Sequence, residues 1–254
     1  MKKNLFIGAG VVALLVLAAA GYWYMKAGDT TTPPEDGTTV IEGGENRIEF
    51  DDTLIEKVAH PPLDRTVAFS STLPQDARTA LETNIAKLVG QLEDDSENYG
   101  AWLDLALMYK TSGDYEGAVE IWEYIAQVVP GESVSYHNLG NYYHHEVEDF
   151  VTAESYFKQA IERNPGQSIH YQALFELYRY SYKTDTNLAE ETLKEGISAV
   201  GNSIDLLISL GRFYKETGRT EEAKQTYLEV RSKAEAAGNE NLVQSVDAEL
   251  EGLY

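Results

Sequence analysis

Residues 133–167 read SVSYHNLGNYYHHEVEDFVTAESYFKQAIERNPGQ. Tyr136, Leu139 and Tyr143 stand at i, i+3 and i+7, one face of a helix, and Ala153 and Phe157 stand at i, i+4 on a second. Pro165 closes the stretch. The same skeleton is written four times between Tyr99 and Glu235. Trp102, Tyr136, Tyr171 and Leu207 recur at spacings of 34, 35 and 36; Leu105, Leu139, Leu174 and Leu210 follow in step, then Tyr109, Tyr143, Tyr178 and Tyr214. The second helix repeats Ala118, Ala153, Ala189 and Ala223, each followed four residues later by Trp122, Phe157, Leu193 or Tyr227. Pro130 and Pro165 close the first two units, and Gly201 and Glu235 take that place in the last two.

Each unit is two helices too short to stand alone. A small residue is wanted where the pair crosses closely, and Ala106, Gly140 and Gly211 supply it while the aromatics around them supply buried area. Gly113-Asp114-Tyr115 makes the first inter-helix turn and Gly218 the fourth. The second unit carries one extra residue within His145 to Asp149, and the third carries two between Tyr180 and Leu188. Phe175 occupies a slot that is small in the other units, so the third hairpin is expected to splay or repack.

The pattern resembles the tetratricopeptide repeat: an aromatic of the Trp type, Leu-Gly, Tyr, Ala, a large aromatic and a closing Pro. The resemblance implies an all-α, right-handed solenoid of helix-turn-helix hairpins with flanking cap helices, preceded here by a transmembrane helix. It also implies a protein-binding scaffold rather than an enzyme, with no cofactor. In the family the first helices line a concave groove. Carried onto this chain, the groove positions are Leu103, Asp104 and Leu107 in the first unit and His137, Asn138, Asn141, His144 and His145 in the second. They are Gln172, Glu176, Arg179 and Tyr180 in the third, and Ile208, Arg212 and Lys215 in the fourth. Such a mixed surface suits an extended peptide or a helix of a protein partner. Repeats that clamp chaperone C-terminal carboxylates place Lys and Asn where this chain has Leu103 and Leu107, so no clamp of that kind is expected.

The chain has 254 residues, 43% of them hydrophobic, and a net charge of −22 from 20 Lys+Arg against 42 Asp+Glu. Phosphate binding needs a basic stripe and none is visible, which argues against nucleic acid. There is no cysteine, so disulfides, thiolate metal sites and cysteine nucleophiles are excluded.

Lys2 and Lys3 precede an uncharged run from Leu5 to Met25, 21 residues long, close to the ~20 a helix needs to cross the hydrocarbon core. Tyr22, Trp23 and Tyr24 end it as aromatics do at a lipid boundary, and the lysines favour a cytoplasmic N-terminus with the repeats outside. The competing reading is a signal peptide cleaved near Ala18-Ala19-Ala20; span length and the aromatic end favour retention. A single-pass protein of the cell membrane, plausibly in a bacterial envelope, is the resulting expectation.

The expected organisation is a tip and anchor at 1–26, a flexible acidic, Thr-Pro linker at 27–46, an extended arm at 47–72 and an N-terminal packing helix at 73–98. Repeats follow at 99–132, 133–167, 168–203 and 204–238, with a capping helix at 239–254. His60-Pro61-Pro62 forbids a continuous helix in the arm, which is read as a short helix and an extended strip lying along the solenoid or occupying its groove. Ala77, Leu81, Ile85, Leu88 and Leu92 make the stripe of the packing helix, and Leu242, Val243, Val246 and Leu250 that of the C-terminal cap, with Glu240, Gln244, Asp247 and Glu249 toward water.

No nucleophile motif, phosphate loop or dinucleotide fingerprint is present. Four histidines lie between His137 and His170, with His137, Asn141 and His144 or His145 along one helical face. Imidazoles at that spacing can approach a shared metal ion, but two of these lie about two turns apart, over ~10 Å by helix rise, which is long for one ion. The readings that follow are, in order, a membrane-anchored adaptor, a self-assembling module of the cell envelope and, last, a metal-binding protein.

Overall fold

The computed structural model describes residues 58–253 apart from Pro130 and Asn202, together with two short strands ahead of them. The expected membrane span, most of the linker and the first closing proline lie outside the described residues. The strands, Thr38–Ile41 (β1) and Ile48–Asp51 (β2), pair antiparallel with Thr38 opposite Asp51 and Ile41 opposite Ile48. This strand pair lies ahead of the helices and outside the all-α repeat region. Its β-branched and aromatic residues, Thr38, Thr39, Val40, Ile41, Ile48 and Phe50, have strand preference.

Ten α-helices follow among the described residues. Helix α1 (Gln75–Asp94) leads into α2 (Tyr99–Ser112) and α3 (Tyr115–Val128), then α4 (Val134–His145) and α5 (Phe150–Arg163). Next comes α6 (Ser168–Glu176), which runs on into a π-helical turn at Leu177–Ser181, and then α7 (Leu188–Ala199). The last are α8 (Ile204–Glu216), α9 (Thr220–Ala236) and α10 (Glu240–Glu251). The pairs α2/α3, α4/α5, α6/α7 and α8/α9 are the four hairpins, each packed on the next. The fold is an all-helical solenoid over these residues.

Side-chain caps start several helices. Asn98, Asp114, Asp149 and Asn239 each accept a hydrogen bond from the backbone N–H three residues on, satisfying a donor the helix leaves free. Gly113 ends α2 at φ 96°, a left-handed conformation that needs glycine. The fourth closing position is corrected: α9 runs through Glu235 to Ala236, and the chain turns at Gly238, φ 68°, before the Asn239 cap. Glu235 is instead held within the helix by Arg231 at 2.9 Å.

The repeat residues form the core. Trp102, Trp122, Ala118, Phe157, Ala153, Leu193 and Ala223 are fully buried, and Tyr143 is half-buried, stacked on Tyr156 at 5.5 Å. A Cβ on Gly140 would lie 2.5 Å from the Phe157 ring, and one on Gly211 would lie 2.7 Å from Tyr227. These are the close helix crossings that the small residues permit. The third hairpin repacks. Phe175 is buried in the small slot, and the close approach moves to Gly196, whose added Cβ would lie 2.6 Å from Tyr171. The π turn takes up extra sequence upstream of the expected site, since a π turn holds more residues per turn than an α turn.

The described arm, Val58 to Leu73, holds no helix and is extended apart from turns at 63–64 and 71–73. Odd-numbered residues from Pro61 to Phe69 face inward and even-numbered ones face solvent, the period-2 signature of an extended chain. Val58, Leu63, Val67, Phe69 and Leu73 pack on the core of the first hairpin. Arg65 holds both carboxylate oxygens of Asp114 and also Glu120 and Glu116. The backbone of Ser70 donates to the Ser112 carbonyl at 2.7 Å. Among the described residues the arm's hydrogen bonds and ion pairs to the first hairpin fall on the end of α2, the α2–α3 turn and α3, and none reaches an expected groove residue.

At the other end only Val246 of the α10 stripe is fully buried, with Leu242 and Leu250 partly covered. Asp247 and Glu249, expected to face water, instead tie α10 down: Asp247 to Arg231 at 2.7 Å and Glu249 to Lys215 at 2.8 Å.

Candidate partner-binding groove

The first helices α4, α6 and α8 adjoin one another. Equivalent repeat positions therefore form rows across them: Leu107, Asn141, Glu176 and Arg212 make one, and Leu103, His137, Gln172 and Ile208 another. Side chains bridge the rows. His170 Nδ1 lies 3.4 Å from His137 Nδ1, joining α6 to α4, and His170 Nε2 lies 3.0 Å from Ser133 Oγ. His137 Nε2 meets Asn141 at 2.9 Å. Ser209 of α8 donates to Gln172 at 2.8 Å, and Gln172 donates to Glu176 at 2.8 Å.

This arrangement separates the histidines that their spacing grouped. His137 pairs with His170 on the next hairpin, not with His144. His144 is buried, 7% exposed, and its Nε2 meets Ser181 of the π turn at 2.8 Å. It braces the second hairpin against the third and is not offered to a partner, while His145 is exposed and stacks on it at 4.0 Å. Burial holds His137 down at about 4, with the neighbouring His170 and then Lys110 adding to the effect. Burial also lowers His170; it lowers His144 too, together with His145 and against Glu176. Burial thus favours the neutral form of all three. Among the described residues no group of three or more His, Cys, Asp or Glu is placed to hold a metal ion.

Farther along the face a pocket of about 60 Å³ opens between α6 and α8. Four expected groove residues, Gln172, Glu176, Tyr180 and Arg212, meet there, joined by Phe175, Ser209, Phe213 and Glu216. Phe175 and Phe213 pack edge to face at 6.2 Å, and Phe175 meets Tyr180 at 6.4 Å. Arg179 lies beside this wall, 5.3 Å from the Phe213 ring and 3.5 Å from Glu216. Tyr180 is 62% exposed. Ser209 and Glu216 occupy the repeat positions of Asn138 and Tyr180, so extending those rows would have found them. Phe175 is a buried core side chain that also borders the pocket, a placement set by the third hairpin's repacking. Asn138 and Asn141 are half-buried nearer the histidine pair, outside the pocket. A larger cavity, about 320 Å³, lies between the start of the arm and the first hairpin, bounded by His60, Tyr99 and Tyr124.

A sequence profile described as tetratricopeptide repeat matches residues 134–167 and 204–230. Two segments of the chain thus match the tetratricopeptide repeat. The matched segments are the second hairpin and most of the fourth. No curated protein sequence matches the chain. Among solved structures, the crystal structure of MamA is similar with a TM-score of 0.50 and 20% identity, covering 65% of this chain and 98% of MamA. A Pseudomonas aeruginosa pilF structure is similar at 0.49 and 17% identity, covering 70% of this chain and 86% of that one. TTC0263, a thermophilic TPR protein in Thermus thermophilus, is similar at 0.48 and 20% identity, covering 67% and 92%. At such identity the MamA likeness bears on the fold alone. The tetratricopeptide repeat is a protein-interaction scaffold, not a catalytic fold. Among the described residues no helix is long and apolar enough to cross a membrane.

Proposed function

We propose that this protein is a membrane-anchored adaptor, holding a peptide or helix of a protein partner on the face formed by its first helices. The observation that carries the reading is the continuous face from α4 to α8, on which exposed Tyr180 and Arg212 border a pocket. Residues 5–25 supply the anchor, with the N-terminus cytoplasmic and the repeats outside in a bacterial envelope. This part of the proposal rests on the uncharged run, its lysine start and its aromatic end.

The test is a crosslinking pull-down from native membranes with the full-length protein beside a Tyr180→Ala, Arg212→Ala double variant. A partner held by the parent protein and lost with the variant supports the adaptor. Recovery of only this protein's own copies, indifferent to the substitutions, sinks it in favour of self-assembly through the end helices.

A further inference from the structure

The hydrogen-bonding groups around the α6–α8 pocket do not balance. Ser209, Gln172 and Glu176 are closed into one chain of bonds. The two arginines are not closed. Arg65, Arg78, Arg163, Arg179, Arg219 and Arg231 each have a hydrogen-bonding or ion-pairing partner. Among the described residues, Arg212 is the one arginine without such a partner, although the chain holds 42 Asp+Glu against 20 Lys+Arg. Its neighbour across the wall, Arg179, has a buried Nε with no hydrogen-bond partner. The buried Arg179 Nε lacks an acceptor, and the exposed Arg212 guanidinium has no counter-charge paired with it among the described residues, so the wall offers donors to an incoming acceptor. The π turn, a feature frequent at functional sites, carries both Arg179 and the exposed Tyr180.

We infer that this pocket takes an acidic side chain of the partner segment together with an adjacent apolar or aromatic one. The carboxylate meets Arg212, and its neighbour enters between Tyr180, Phe175 and Phe213. The inference rests on the groove reading above and names the chemistry of its occupant. Glu176 and Glu216 on the same wall repel a doubly charged group, so a carboxylate fits and a phosphate does not. The acid is internal to the segment rather than its C-terminus. Gln172, which lines the pocket, stands in one row with His137 of α4, so a segment lying along the face runs on past the pocket.

The test is to pan random decapeptides, displayed on phage through their C-termini, against the full-length protein in lipid nanodiscs. Enriched sequences are then made as N-acetylated, C-amidated peptides for fluorescence polarisation. The expected consensus places Asp or Glu within two residues of an aromatic or large aliphatic residue. Arg212→Gln, or replacement of that acid by Asn, weakens binding about tenfold, the loss of one charge-assisted bond; Glu176→Gln tightens it. A basic consensus, or acidic peptides indifferent to Arg212→Gln, overturns the inference. Peptides lost with Tyr180→Ala but not with Arg212→Gln overturn it while leaving the groove reading standing. If no enriched peptide responds to any groove substitution, both fall together.

Discussion

Glu154 accepts a hydrogen bond from the Tyr178 hydroxyl at 2.5 Å, across the boundary between the second and third hairpins. The contact recurs one unit later, where Tyr214 donates to Glu190 at 2.9 Å, again over 24 residues. Each carboxylate also receives a cation from the following turn, Lys183 or Arg219, and one from its own helix, Lys158 or Lys194. Burial raises the Glu154 carboxyl, but the bonds from Lys158, Lys183 and Tyr178 outweigh it and hold the group at about 2; Glu190 is held at about 2 in the same way by Arg219, Lys194 and Tyr214. In a repeat array, stability is the sum of unit terms and nearest-neighbour interface terms, and these two acids sit on successive interfaces. Glu154→Gln is expected to destabilise by roughly 2–4 kcal/mol, because it removes the counter-charge of two lysines and turns one acceptor oxygen into a donor, and Tyr178→Phe by about 1 kcal/mol. Urea denaturation followed by circular dichroism checks both. Equal losses for the two variants would show that the carboxylate does no more than receive one hydroxyl.

The histidine pair sets a second expectation. His137 is neutral when folded, its pKa near 4, and close to 6.5 when unfolded. Its contribution is therefore fully present above about pH 6.5 and is lost as pH falls toward 4, because the unfolded chain takes up the proton first. Lys110 from α2 and His170 from α6 face it, with Ser133 and Asn141 completing the hydrogen-bond chain. The loss is on the order of 3 kcal/mol. Melting temperatures taken every half unit between pH 7.5 and 4 should fall, and His170→Gln should flatten the fall. The Glu154 and Glu190 contributions are lost lower, as pH drops below about 4.5 toward 2, so the two windows separate.

Asp114 does three things at once: it caps α3, receives Arg65 on both oxygens and accepts the Ala68 backbone N–H. Its side chain is 2% exposed. Asp114→Ala is expected to cost about 3–5 kcal/mol, combining a lost cap with a broken, nearly buried ion pair. Arg65→Met costs less, because the cap survives. Hydrogen exchange gives the second readout: Asp114→Ala should expose the Ser70 amide, which donates to the Ser112 carbonyl, well before the amides of α8 and α9 respond. Uniform exposure along the solenoid would contradict a local role for the arm.

Two glycines should answer the same substitution with opposite signs. Gly140→Ala places a Cβ against Phe157 and is expected to destabilise by about 1–3 kcal/mol through overpacking. Gly90, within α1, has nothing within 4 Å of an added Cβ. Gly90→Ala should stabilise by about 0.5–1 kcal/mol through helix propensity. Thermal melts of the two variants decide this, and matching signs would count against the close crossing.

The solenoid was legible in the sequence because its defining contacts are short-range. Trp102, Leu105 and Tyr109 lie on one helical face whatever the rest of the chain does, and each hairpin packs mainly on the next. Periodicity in the chain is therefore periodicity in the core. The same reasoning put Gln172, Glu176, Tyr180 and Arg212 on one face, where they line one pocket, since a row of equivalent positions is a row in space. What only the tertiary structure decided depends on contacts between positions that no period relates. Side-chain direction at a seam separated His144 from His137 and turned one toward Ser181 and the other toward His170. Repacking in the third hairpin, where Gly196 took the role of the missing small residue, set Phe175 into the pocket wall. Arg65 reaches Asp114 across 49 residues, a pairing made by the path of an extended arm. Local pattern determined which helices form and stack; the pairing of charged and polar side chains across their seams was settled only by packing, because many partners lie within reach of each and geometry alone selects among them.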